Sequence, residues 1–354
     1  MLTIAAFIFV LALLVLSHEY GHFLAAKKNG MLVEEFGFGF PPKIFGWVRN
    51  GTQYTFNLLP LGGFVRIKGE DDADMSEGSF HAAPIRKQMA VIVAGVAMNM
   101  ALAVVLLTIV FSVGTVRVNT TDHRGEQRIT VAEVVTDGPA ARAGITEGDI
   151  ITDVWSGDDH EIIDARDDLP TFTHAHRREQ ITIRYLRESE ARDITLTPDA
   201  SGEGALGIYI VSLEFIKTDS IHAFGFAIRE SFVMAWYVIQ ALGDLVGSLF
   251  GGAGVPGGVA GPVGIAQIAG ESARAGFITL LELIAVLSVN LAVMNLLPIP
   301  ALDGGRLFFI LIEVVRGKPF PEHIPRIAHT IGFMILMALL LAVTYSDIVR
   351  LFRS

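Results

Sequence analysis

The chain has 354 residues, of which 51% are hydrophobic and only 18% charged, a balance too apolar for an ordinary soluble enzyme. It contains no cysteine, which excludes a disulfide framework and any thiolate metal site. A net charge of −10 carries none of the basic footprint that nucleic acid requires, so no nucleic-acid partner is expected. The first apolar run, Leu2 to Ala26, ends at Lys27-Lys28 and reads as a membrane span. It lacks a basic n-region and a small-residue cleavage site, so a removable secretory signal does not fit. Inside it sits His18-Glu19-Tyr20-Gly21-His22. Polar groups there cost roughly 2.5–3.5 kcal/mol for a central charge, and they therefore mark function. At helical spacing His18 and His22 share one face and can hold a metal, with Glu19 on the adjoining face, placed to activate water.

The next segment, 29–88, carries Lys43, Arg49, Arg66, Lys68, Arg86 and Lys87. The positive-inside rule makes it cytoplasmic and puts the N-terminus outside; Glu70, Asp71, Asp72 and Asp74 weigh little in that rule. Two strand-like runs, 53–58 and 64–68, flank Pro60-Leu61-Gly62-Gly63 and predict a β-hairpin turning there. Two readings stay open for it: an interfacial loop dipping phenylalanines toward lipid, or a re-entrant sheet whose free edge pairs with an extended substrate. In the second, Gly62 and Gly63 are candidate substrate contacts. Span two, Met89 to Val113, holds Gly95-Val96-Ala97-Met98-Asn99. A packing notch with a satisfied Asn is one reading, and Asn99 as a substrate contact is the other.

From Val116 to Leu213 the character changes to frequent charge and strand-like runs at 129–135, 150–155, 180–187, 193–197 and 206–211. In Gly138–Ile151, Pro139 can start a short helix, Gly144 can end it, and Gly148-Asp149 can turn the chain into a strand. This stretch resembles the helix–turn–strand of a PDZ domain in the circularly permuted bacterial form. The segment has the length of one such domain. His160, His174 and His176 read as its surface residues. Ser220–Phe250 mixes apolar residues with His222, Arg229, Glu230, Gln240 and Asp244, which fits an amphipathic interfacial helix better than a span. Gly247 to Gly264, with Gly261-Pro262-Val263-Gly264, reads as a mobile connector.

Span three, Phe277 to Leu297, runs into Pro298-Ile299-Pro300-Ala301-Leu302-Asp303-Gly304-Gly305, where two prolines and two glycines break the helix. Irregular backbone at membrane depth is tolerated only when buried in protein or lining a cavity. Span four covers Ile327 to Val343, giving four crossings with both ends outside. Catalytic zinc needs three protein ligands and an open position. Asp303 is the carboxylate on broken intramembrane backbone; Glu282 lies near the opposite end of span three and Glu313 beyond the break. Asn295 either orients the substrate backbone or packs between helices, and Pro298 and Pro300 are further candidate substrate contacts.

These motifs, with the Asn-x-x-Pro-x-Pro-x-Leu-Asp-Gly pattern of Asn295–Gly304, resemble the site-2 protease family of intramembrane zinc metalloproteases, in its bacterial regulator-of-sigma-E protease branch. The resemblance implies zinc held by His18, His22 and Asp303, with Glu19 as general base. It implies single-span substrates in the lipid bilayer, such as pre-trimmed anti-sigma factors or signal-peptide remnants. It makes the hairpin a membrane re-entrant β-loop that holds unwound substrate, and the PDZ domain a size filter. The enterobacterial type carries two tandem PDZ domains and this chain has room for one, so a two-domain filter does not carry over.

The expected fold is thus a polytopic α-helical membrane protein with four spans, a cytoplasmic-side re-entrant β-hairpin and one inserted extracytoplasmic PDZ-like α+β domain. The membrane core would comprise residues 1–113 and 251–354, the PDZ domain 116–213 and the interfacial helix 220–250. The expected location is the bacterial inner membrane, with the active site toward the cytoplasmic side. A different class of function, a scaffold binding extracytoplasmic C-termini without peptidase activity, is opposed by the intact His18, Glu19, His22 and Asp303.

Overall fold

Helix α1 (Leu2–Lys28) opens the chain. Lys27 and Lys28 complement the negative end of its dipole, the Asn29 amide bonds the Ala25 carbonyl at 2.8 Å, and Gly30 turns away at φ +80°. The computed structural model that supplies this geometry describes the whole chain except residues 71–73, 119–125, 188–189, 200–205, 251–260, 319, 322 and 353–354. Asp71 and Asp72, two of the four acidic residues weighed in the 29–88 loop, therefore lie outside the described residues.

Strands β1 (Val33–Arg49) and β2 (Thr52–Ile67) follow, and both fold over within the sheet. The Phe36–Phe38 stretch lies between two runs of β2, so that Phe36 faces Tyr54 on one side and Val65 on the other. The later part of β1, Lys43 to Arg49, pairs with Asn57 to Thr52. The tight turn is therefore not at Pro60–Gly63 but at Asn50-Gly51, where both residues have positive φ (50° and 75°). Pro60–Gly63 instead carries β2 from one side of β1 to the other, and the two runs read as hairpin partners pair with β1 rather than with each other. The reason is steric: an Asn-Gly pair accepts the left-handed conformation of a two-residue turn, and it lies between the runs that do pair.

Helix α2 (Ile85–Val113) is the second apolar helix. The chain then divides into two compact units, Met1–Ser112 with Asp219–Ser354, and Val113–Thr218. In the second unit, β3 (Thr115–Val118), β4 (Glu126–Val134), β5 (Ile150–Ser156), β6 (Asp159–Ile162), β7 (Ile181–Arg187), β8 (Glu190–Leu196) and β9 (Ile208–Ile216) form an antiparallel sheet of order β3-β9-β4-β5-β7-β8, with β6 paired to β5. Helix α3 (Pro139–Ala143) starts on Pro139 and stops at Gly144, whose φ of 98° only glycine adopts cheaply; α4 (Asp168–Ala175) adds Leu169 and Phe172 to a core with Ile129, Val131, Ile151, Val154, Ile181 and Ile183. The β4–α3–β5 order matches the helix–turn–strand pattern of the sequence, while β3 and β6 were not legible there.

In the first unit, α5 (Ser220–Phe250) packs on the later helix α7 and buries Ala223, Ala227 and Ser231 on one face. Helix α6 (Pro262–Ala275) begins on Pro262, and the Asp347 carboxylate accepts the Gly264 N–H at 2.8 Å. Gly261–Gly264 is thus a helix start rather than connector, because a buried carboxylate holds the Gly264 N–H of its first turn. At the other end of the expected connector, 247–250 continue α5 as helix, and 251–260 lie outside the described residues. Helix α7 (Phe277–Leu296) ends at the Pro298–Leu302 loop, α8 (Asp303–Arg316) ends at Gly317 with φ 68°, and α9 (His323–Leu351) closes the chain. Among the described residues, helices α1, α2, α7 and α9 are the four that are long and apolar enough to cross a membrane.

Candidate metal centre

His18 and His22 lie one turn apart on the buried face of α1, where each is 8% exposed. Their neighbour is α2, which can come this close because of glycine: a Cβ at Gly95 would collide with both imidazoles, and one at Gly21 with the Ala94 carbonyl. Asp303 enters from the first residue of α8. His18 Nε2 and His22 Nε2 each stand 3.1 Å from Asp303 Oδ2 and 3.2 Å from one another. Tetrahedral ligands on bonds of 2.0–2.1 Å lie about 3.3–3.4 Å apart, so this triangle has the size a zinc ion needs.

Its chemistry fits as well. The His22 Nδ1 lies 2.8 Å from the Val91 carbonyl, so the ring proton sits on Nδ1 and Nε2 turns a lone pair to the centre. The His18 Nδ1 lies 3.4 Å from the Asn99 amide, whose Oδ1 is buried without a partner; a half-turn of that amide gives the oxygen the Nδ1–H. Asp303 Oδ2 is buried and, among the described residues, accepts no hydrogen bond, a costly condition unless a cation balances it. Among the described residues, His18, His22 and Asp303 form the cluster of His, Asp and Glu able to share a metal.

Glu19 is half-buried beside the triangle, and its Oε2 accepts the Val65 N–H at 3.0 Å. Val65 belongs to the β2 run whose free edge lies along α1: a Cβ at Gly63 would stand 3.4 Å from Val15 Cγ1 and 3.7 Å from Glu19 Cγ. Of the other sequence candidates, Gly63 is therefore at the site, and Gly62 packs against Phe40. Asn99 is fully buried beside His18, and its main-chain oxygen accepts the Ser288 hydroxyl at 2.9 Å, the environment of the packing alternative read from the sequence. Asn295 is buried at the end of α7, with no hydrogen bond to the triangle among the described residues. Pro298 is exposed in the loop and Pro300 half-buried.

That loop is shaped by close backbone approaches. A Cβ at Gly304 would strike the Leu297 carbonyl, and one at Gly305 the Ile299 carbonyl. Ala301 adopts φ +81°, which costs a non-glycine residue about 1–3 kcal/mol and persists only when the surroundings impose it. The Arg306 guanidinium pairs with Glu70 one turn beyond Asp303. Sequence reasoning missed Val65 and Val91, which act through backbone atoms and leave no side-chain signal. It also passed over His329, although a histidine within an apolar span is the signal that singles out His18.

A model of Peptidase family M50 matches residues 6–339 of the chain. The zinc metalloprotease RasP of Bacillus licheniformis is 31% identical over 433 aligned residues, which take in 99% of this chain and 99% of that one. RasP of Geobacillus kaustophilus is 30% identical over 434 residues, with 99% and 98% covered, and RasP of Oceanobacillus iheyensis 30% over 443, with 99% and 100%.

Proposed function

The chain belongs to peptidase family M50, the site-2 proteases, and is a multi-pass membrane zinc metalloprotease; on that premise we propose that it cleaves the membrane segments of single-span proteins, such as pre-trimmed anti-sigma factors or signal-peptide remnants, inside the bilayer. His18, His22 and Asp303 are the residues that hold the zinc ion, and Glu19 is the general base. The observation that carries this reading is the 3.1–3.2 Å triangle of His18 Nε2, His22 Nε2 and Asp303 Oδ2, with the Glu19 carboxylate beside it.

When bound, the ion supplies a Lewis acid that polarises the scissile carbonyl and acidifies water. The protein does the rest. Glu19 takes a proton at its carboxylate and returns it to the departing amine nitrogen. Val91 and Asn99 hold the two imidazoles in the tautomer that leaves Nε2 free, and the Val65 N–H holds Glu19 in register with them. The β2 edge at Gly63 runs along the catalytic helix and offers an unwound substrate a strand to pair with; Gly62, Asn295, Pro298 and Pro300 complete the proposed substrate channel. Unwinding matters because a helical span hides its carbonyls in its own hydrogen bonds.

The Val113–Thr218 unit is proposed to be a single PDZ-type domain that screens substrates outside the cytoplasm, and the 220–250 helix to lie at the interface. The basic residues of the 29–88 loop support a cytoplasmic-side active site in a bacterial inner membrane. The test is cleavage of a purified single-span substrate in detergent, with and without a zinc chelator, against Glu19→Gln. Cleavage abolished by both is the expected result, and equal cleavage by Glu19→Gln would sink the mechanism.

A further inference from the structure

We propose that His329, on the fourth apolar helix, is a positioning residue for the third metal ligand: it holds the Ala301 N–H and so sets where Asp303 points. The inference rests on the reading of His18, His22 and Asp303 as the zinc ligands.

Asp303 is the first residue of α8, so its direction is decided by the loop that delivers it. Most donors of that loop bond locally, Leu297 N–H to Met294, Ile299 N–H to Leu297 and Leu302 N–H to Ile299. The Ala301 N–H instead leaves the loop and meets His329 Nδ1 at 3.1 Å. Ala301 is also the residue at φ +81°, a conformation that alanine keeps only when something outside enforces it. The same helix touches the loop again three residues on: a Cβ at Gly332 would collide with the Pro300 carbonyl and come within 2.7 Å of Pro300 Cβ. Two residues three apart share a helix face, so His329 and Gly332 form one cradle for Pro300-Ala301.

Around this cradle α9 is apolar and largely exposed, with Ile331, Phe333, Met334 and Ile335 outward. A polar imidazole in such a helix is expensive and marks a task. Because the backbone N–H is the donor, Nδ1 must be the acceptor and the ring proton sits on Nε2. The task therefore needs an acceptor atom at the Nδ1 position, which an asparagine Oδ1 reproduces and a leucine does not.

The test measures zinc affinity of the full chain in detergent by competition with a chelator, together with the absorption spectrum of the cobalt-substituted protein. Asp303→Ala sits in the same titration. His329→Leu is expected to weaken zinc about 10–100-fold, the loss typical of an outer support of a ligand, and to shift the cobalt bands. His329→Asn is expected to restore both. In turnover, kcat should fall for His329→Leu with KM little changed. Unchanged zinc affinity and cobalt spectrum in His329→Leu, with Asp303→Ala impaired, would overturn the inference alone. Full zinc retention by Asp303→Ala would instead overturn the ligand reading, and the inference with it. Should His329→Leu not fold, Gly332→Ala makes the same demand by pushing α9 off Pro300, and parental zinc affinity there overturns the proposal equally.

Discussion

The Glu19 carboxylate accepts the backbone N–H of Val65 at 3.0 Å, so a residue of the first helix is oriented by the free edge of a β-sheet 46 residues later. A hydrogen bond to a charged group contributes about 1.5–3 kcal/mol, or roughly 10–150-fold in an equilibrium. Val65→Pro removes the donor at an outward-facing edge position, where proline leaves the ladder to β1 intact. Turnover should fall by about tenfold or more while zinc stays bound, and Val65→Ala should behave as the parent. Kinetics and metal analysis of the two variants decide it.

Separating the roles of the carboxylates needs only two substitutions. Glu19→Gln should lower turnover by about 10²–10⁴-fold, the range of a lost general base, yet keep its zinc. Asp303→Ala should lose or weaken the metal itself. Full zinc content in Asp303→Ala would mean that another residue is the third ligand.

Gly95 has no room for any side chain, because its Cβ would enter the space of the His18 and His22 rings. Gly95→Ala is therefore expected to displace an imidazole and cost zinc affinity, although alanine is the better helix former by about 1 kcal/mol. Greater helix stability with unchanged metal binding would contradict the packing described here.

The inserted unit has its own acid-sensitive element. Asp149 is 1% exposed; burial alone would raise its pKa, but hydrogen bonds from Arg187 and from the Thr146 N–H outweigh it and hold the carboxyl below its ordinary range. A depressed folded-state pKa contributes stability above the unfolded value, and that stability is lost as pH falls through the folded one. The unit should accordingly unfold more readily below about pH 4. Arg187→Met leaves the buried acceptor short of a partner, for a loss of about 1–3 kcal/mol at pH 7 and a flatter acid profile. Calorimetry across pH reads both.

Orientation is tested by a reporter in the Gly157 turn between β5 and β6. It should read extracytoplasmic, and one placed at Asn50-Gly51 should read cytoplasmic. The reverse pair would invert the proposed topology.

What the sequence alone determined was whatever is encoded within a few consecutive residues. The four apolar helices follow from hydropathy, the shared face of His18 and His22 from helical spacing, the break before Asp303 from its prolines and glycines, and the α3 boundaries from Pro139 and Gly144. Even the Asn50-Gly51 turn was legible in principle, since few other pairs accept two positive φ angles, but Pro60–Gly63 drew the reading instead. The tertiary structure alone decided what stands beside what. It brings Asp303 Oδ2 to 3.1 Å from both imidazoles, threads β2 past both sides of β1, and supports the site through the Val65 N–H, the Val91 carbonyl and the His329 ring. Backbone donors and acceptors are the same at every residue, so their long-range partners leave no trace in side-chain chemistry. Only the packing of the helices selects among them.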